Sequence, residues 1–361
     1  GASNVAIGDT ALTDLTTGGQ NVAVGRESGF DLTTGSNNTA IGFRSLKLNQ
    51  TSDQNTAVGS FSLQSNTGSN NTAVGYLSLL SNTGGGSNTA VGKSALEDNT
   101  TGSFNTAVGT GGGALASNTT GTSNVGVGAQ ASASSTTASN NTALGAYTLR
   151  DNETGANNVA VGTSALTNNE ASNNTAVGKS ALTSNVTGTN LTAVGYEALT
   201  TNTGHNNTAV GKSALRLNQT ANNGTALGNN ALKANTTASN NVAVGYESLG
   251  SNTTGNDNTA VGTLSLSINQ TGVCNTAVGH SALRNNTASS NSAVGHAALQ
   301  NNTTGIDNIA MGRSALANNT TGSQNTGLGY GALSSVTTSA ACTAVGRNAL
   351  NLNTAAGVTA V

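Results

Sequence analysis

Apolar residues in this chain fall at fixed places in a background of Asn, Thr, Ser and Gly. A Val, Ile, Leu or Met stands before a glycine in every repeat, as at Val24, Ile41, Leu144 and Met311. A Leu follows four residues after that glycine in 18 of 21 repeats. The phrase Asn-Thr-Ala-Val-Gly closes 21 times between Gly8 and Gly346, spaced by 17 residues with occasional 16s and one 19 between Gly109 and Gly128. So short a period, held throughout, predicts a stacked solenoid and not a globular enzyme. The consensus is Asn-Thr-Ala-Val-Gly-x-x-Ala-Leu-x-x-Asn-Thr-Thr-Gly-x-Asn. It contains two strand-like pieces, Asn-Thr-Ala-Val-Gly and Gly-x-x-Ala-Leu, each bounded by turn formers. Helix is excluded because the turn-rich unit leaves no room for three helical turns. The predicted class is all-β, a parallel β-solenoid or β-roll of about 21 rungs.

Strand alternation then sorts the columns onto two faces. The Val-like residue and the residue two before it share a face. The latter is Thr in 14 repeats and Val in five, with Ser292 and Ile309 in the others. We expect these two columns, with the leucine, to form the core. The residue between them is Ala in 19 of 21 repeats and Gly at Gly126 and Gly327. On this reading it points away from the core, yet accepts nothing larger than a methyl. A second chain packed at close range would explain that restriction. The expected interface column is Ala6, Ala23, Ala40, Ala57, Ala73, Ala90, Ala107, Gly126, Ala143, Ala160, Ala176, Ala193 and Ala209. Because one Val-like and one Leu residue per turn make a thin core, the reading is a homotrimer. Asn fills the next position on the Ala face in 18 of 21 repeats, which predicts an amide hydrogen-bond ladder along the axis. Its exceptions are Leu191, Gly224 and Cys342. The Asn-Thr-Thr-Gly stretch reads as turn chemistry.

Periodicity makes residues 1–361 one array, with a two-residue insertion near 110–114 and both ends cut within a repeat. A stretch of a longer fibre is therefore expected. Only 7% of residues are charged and the net charge is −2, too weak a field for nucleic-acid binding. No apolar run approaches a membrane span and no signal peptide is present, so membrane insertion is not expected in this segment. Collagen is excluded by the absence of proline and of a three-residue glycine period. Cys274 and Cys342 lie four repeats apart, about 19 Å at the usual strand spacing and beyond disulfide reach.

Candidate chemistry is sparse. His280 and His296 hold equivalent positions in adjacent repeats and should stack one rung apart. No carboxylate or thiol column accompanies them, so a solvated column is expected and no metal or cofactor is assigned. Thr110-Gly111-Gly112-Gly113 has the composition of a phosphate loop, but it sits at the insertion and reads as a bulged turn. Leu115, two places late, is expected to supply that rung's core leucine. No Ser/His/Asp constellation is visible and the carboxylates are scattered, so no enzyme is expected. Asn-x-Ser/Thr triplets are frequent, as composition alone dictates.

One distribution stands apart. The position after the repeat glycine holds Arg26, Tyr76, Lys93, Lys179, Tyr196, Lys212, Tyr246, His280, His296, Arg313, Tyr330 and Arg347. Four positions later come Lys47, Arg150, Arg216, Lys233 and Arg284. Same strand parity puts both columns on one outer face, a candidate stripe for glycans or an acidic surface. The alternative is that any outward column collects long side chains that cover the core and discourage sideways sheet association.

Ser3-Asn4-Val5-Ala6-Ile7-Gly8 and Asn158-Val159-Ala160-Val161-Gly162 resemble the head repeat of YadA-like trimeric autotransporter adhesins. Residues 124–133 also resemble that family's alternating-alanine second strand. The resemblance implies a trimeric left-handed parallel β-roll displayed on a bacterial surface. The Thr-Ala-Val-Gly…Ala-Leu…Asn-Thr-Thr-Gly form is similar to repeats of phage and bacterial tail-fibre proteins. Here the period is longer than the adhesin rung, and neither the adhesin stalk and anchor nor the tail-fibre chaperone is visible. The expected function is an extracellular structural fibre on a cell or virion surface, associating with itself and reaching a surface glycan or host receptor. A surface-binding module such as an ice-binding solenoid is the alternative. The expected Thr column counts against it, because that column is placed on the core side. A glycan-degrading β-helix would need clustered carboxylates.

Overall fold

The computed structural model describes residues 3–361. It is all-β and repetitive, with one strand of two or three residues per turn and no helix among the described residues. Contacts divide the chain into two units, Gly1–Val186 and Thr187–Val361. In each, successive strands pair in parallel and in register. In the first, Ala40 aligns with Ala57 and Ala57 with Ala73. In the second, Ala209, Ala226, Ala243 and Ala260 align in turn. Each unit is thus a parallel β-solenoid built on the predicted period.

The repeat glycine ends each strand for a steric reason. Its φ lies between +113° and +139° at every repeat except Gly109, where the array gains two residues. That region is closed to L side chains. A Cβ built on Gly245 would also lie 2.6 Å from the backbone of Gly262 in the next turn. Period and glycine are therefore the same constraint.

The second predicted strand does not form. After the glycine the backbone alternates in hand, with positive φ at Glu247 (52°) and again at Leu249 (48°). Its amides still bond along the axis: Glu247 N–H donates to Asn229 O (3.0 Å) and Leu249 N–H to Ser265 O (3.0 Å). The change of hand turns two consecutive side chains inward, so Ser248 and Leu249 are both fully buried. A left-handed leucine costs about 1–2 kcal/mol. Burying its side chain returns about 1.5–3 kcal/mol, which offsets that cost. Leu115 is buried at the insertion, as expected.

Those inward leucines reverse the expected strand faces. Beyond the first turn, where Ala6 is exposed, the Ala column is buried inside the single roll: Ala23, Ala57, Ala160 and Ala209 are all at 0% exposure. The Thr and Val-like columns point outward, with Val261 at 36%, Leu227 at 38% and Met311 at 45% exposure. Close approach of the leucine explains why the Ala column is small. A Cβ at Gly126 would lie 3.1 Å from Cγ of Leu115, and one at Gly327 would lie 3.3 Å from Cγ of Leu316. The restriction to Ala or Gly is internal to one chain. The residues Ala23 to Ala209 of that column are therefore not a chain–chain interface.

The asparagine ladder is present. Asn258 Oδ1 accepts from Asn275 N–H (2.9 Å), while its Nδ2 donates to Gly272 O (2.8 Å). A second ladder runs through the Asn of the Asn-Thr-Thr-Gly stretch, which is buried and not merely a turn. Nδ2 of Asn252 donates to Asn235 Oδ1 (3.0 Å), and Nδ2 of Asn269 donates to Asn252 Oδ1 (2.9 Å). Where Ser135 or Val336 replaces the next rung, Oδ1 of Asn118 and of Asn319 is left without a partner. Cys274 and Cys342 are free thiols, the first exposed and the second buried in the Asn column.

Candidate functional sites on the outer columns

Three outer surfaces result. The first is the face of outward Thr and Val-like side chains. It is apolar over much of its area, with half-buried Thr beside Val-like side chains that are half-buried to exposed. The second is the column after the repeat glycine, directly beside the Val-like column. All twelve predicted stripe residues, from Arg26 to Arg347, are exposed there. His280 and His296 stack in that column, with ring centroids 5.2 Å apart and planes 8° from parallel. No group of three or more His, Cys, Asp or Glu side chains converges among the described residues. Tyr330 has a cation on each side, with Arg313 at 5.9 Å and Arg347 at 5.5 Å from its ring.

The third surface is the side wall formed where the backbone alternates in hand. It carries the cationic column of Lys47, Arg150, Arg216, Lys233 and Arg284. These five are half-buried and belong to a different wall from the stripe, because the change of hand rotates them away from it. Three of them are ion-paired: Lys47 with Glu27 (2.6 Å), Arg150 with Asp151 (2.6 Å) and Arg216 with Glu197 (3.2 Å). Lys233 and Arg284 make no ion pair among the described residues.

In the first unit the wall is closed by a dense cluster. Glu27 accepts from Lys47 and from Arg44 Nε (2.9 Å), with Arg26 at 3.6 Å. These hydrogen bonds, that of Lys47 foremost, hold its carboxyl down at about 2. Phe43 lies between Arg26 and Arg44, each 4.9 Å from its ring centroid. Phe61 makes edge contacts with Phe43 (5.2 Å) and Tyr76 (6.1 Å).

In the second unit the same wall is open. A cavity of about 330 Å³ is lined by Asn230, Lys233, Glu247, Gly250, Ser251, Leu264, Ser267, Ile268 and Arg284. Its floor exists because Gly250 and Ser267 stand in the column between Lys233 and Arg284. The neighbouring Glu247 carboxylate raises the Tyr246 phenol above its ordinary range. Nε of Arg284 is buried without a hydrogen-bond partner. The sequence marks the two cations by their charge but not the cavity between them. Its signal was the run Lys233, Gly250, Ser267, Arg284 at one position of four successive repeats.

No helix among the described residues is long and apolar enough to cross a membrane. No protein-family model, no curated protein and no solved structure matches this chain.

Proposed function

We propose that this chain is the shaft of a homomeric extracellular fibre, three copies lying side by side through their outward Thr and Val faces. One observation carries the reading: each roll leaves an in-register array of Val, Ile, Leu and Met side chains uncovered along one face. Contiguous apolar faces of this kind are covered in stable assemblies. A partner that matches such an array turn by turn must share its period, and another copy of this chain does so by construction. The number three follows the resemblance to trimeric adhesin heads. Tyr, Arg and His beside the Val column are side-chain types enriched in interfaces, and they would flank the contact. Reach and stiffness come from backbone pairing along each roll, with attachment as the biological purpose.

Light scattering on the full chain tests this. The expected molar mass is three times 35.1 kDa. Val261→Lys with Val278→Lys, outward on adjacent turns, should release monomers that keep their β signal. A folded wild-type monomer would sink the reading.

A second reading, a face that orders water as ice-binding solenoids do, is favoured by the outward and in-register Thr column. The ground on which the sequence disfavoured it is gone. Against it, tall Tyr, Lys and Arg side chains beside the Val column would hold a flat ice plane off the face. Thermal hysteresis in a solution of the chain would support the water-ordering reading over the fibre.

A further inference from the structure

We propose that the side wall of the second unit binds a single acidic sugar ring, with the sugar carboxylate held between Lys233 and Arg284. Five cations occupy this wall position, and three of them are ion-paired with neighbouring carboxylates. The two left without an ion pair are those that bound the cavity. Against these two positive charges the cavity sets one carboxylate, Glu247. The local balance is net positive in a chain whose net charge is −2, so the preferred ligand is an anion.

The rest of the lining narrows the class. Asn230, Ser251 and Ser267 offer neutral donors and acceptors, and Glu247 accepts from hydroxyls, the partner set of a polyol. Leu264 and Ile268 supply an apolar wall for the C–H face of a ring. A volume of about 330 Å³ lies at the small end of ligand sites, about 300–1,000 Å³. It suits one pyranose and not an extended chain or a base stack. A single carboxylate without a second acidic or His ligand is a poor metal site. The site goes beyond the fibre reading and does not rest on it, because it lies on the side wall and not on the Thr and Val face.

The test is calorimetric titration of the full chain with glucuronate, with glucose and inorganic sulfate as comparison probes. Glucuronate should bind with a Kd on the order of millimolar. It should bind at least about tenfold more tightly than either probe, since the charge-assisted bonds and the hydroxyl contacts each contribute about that factor. Arg284→Gln and Lys233→Gln should each weaken it about tenfold. Gly250→Lys should abolish it by filling the floor, in a position where Lys233 occupies the preceding turn. Arg216→Gln, in the same column but outside the cavity, should leave it unchanged. Equal binding of glucuronate and glucose would overturn the proposal. So would sulfate binding as tightly as glucuronate, or glucuronate binding that survives Arg284→Gln. Because Arg284 and Lys233 are side-wall residues outside the core, those two variants keep the test decisive even if Gly250→Lys unfolds.

Discussion

The side wall around Glu27 and the side wall around Gly250 share one backbone pattern and differ in the side chains it carries. Both have a left-handed residue two after the repeat glycine and another at or near the inward leucine, and both hang outer side chains from the same columns. In the first, Arg44, Lys47, Glu27 and Phe43 fill those columns and satisfy one another. In the second, Gly250 and Ser267 vacate them, and Lys233 and Arg284 are left facing an open cavity. In a solenoid the inner columns carry the fold and the outer ones are free. A binding site can thus arise from two small residues in one column, at no cost to the core.

If that is right, inner-column changes should hurt both regions alike. The largest effect is expected from the repeat glycines. Gly42→Ala and Gly245→Ala would each place a Cβ 2.6 Å from the next glycine's backbone at forbidden φ. Each should cost about 4 kcal/mol or more and open the neighbouring turns to hydrogen exchange. Next come Leu46→Ala and Leu249→Ala, both fully buried. Each should lose about 2–5 kcal/mol by chemical denaturation. A much smaller loss at Leu46 would mean that the Glu27 cluster, and not the shared core, holds the first region.

Outer-column changes should instead separate the two regions. The carboxyl of Glu27 is held at about 2 against an ordinary 4.5, so its folded value lies below its unfolded one. The stabilisation it gives is full above about pH 4.5 and is lost as the pH falls toward 2. Exchange protection around residues 27–47 should fall across that window, and Glu27→Gln should flatten the response. Protection around residues 233–284 should not follow it. The smallest effect is expected from Ser267→Lys, which closes the open wall with a side chain its column already accepts. Its melting temperature should correspond to a change within about 0.5 kcal/mol of the parent.

Much of this was legible in the residues. The period, the glycine that closes each strand, the inward leucine with its displaced stand-in Leu115, and the Asn258-type ladder all follow from local chemistry at a single position. The second ladder through Asn252 was not legible, because Asn before Thr-Thr-Gly is equally good turn chemistry whether its amide points inward or outward. The cavity was half legible: Lys233 and Arg284 stood out by charge, while Gly250 and Ser267 say nothing until the columns are placed on a wall.

The sequence by itself determined that this chain is a parallel β-solenoid of one turn per repeat glycine, since so short and strict a period calls for stacked turns. Only the tertiary structure decided which side of that strand is inside. Alternation establishes that Ala and Val face opposite ways, but both assignments alternate equally well. The choice belongs to the left-handed leucine after the glycine. Its side chain and its neighbour's both turn inward and leave room for a methyl and nothing more, so Ala goes in and the larger Val and Thr go out.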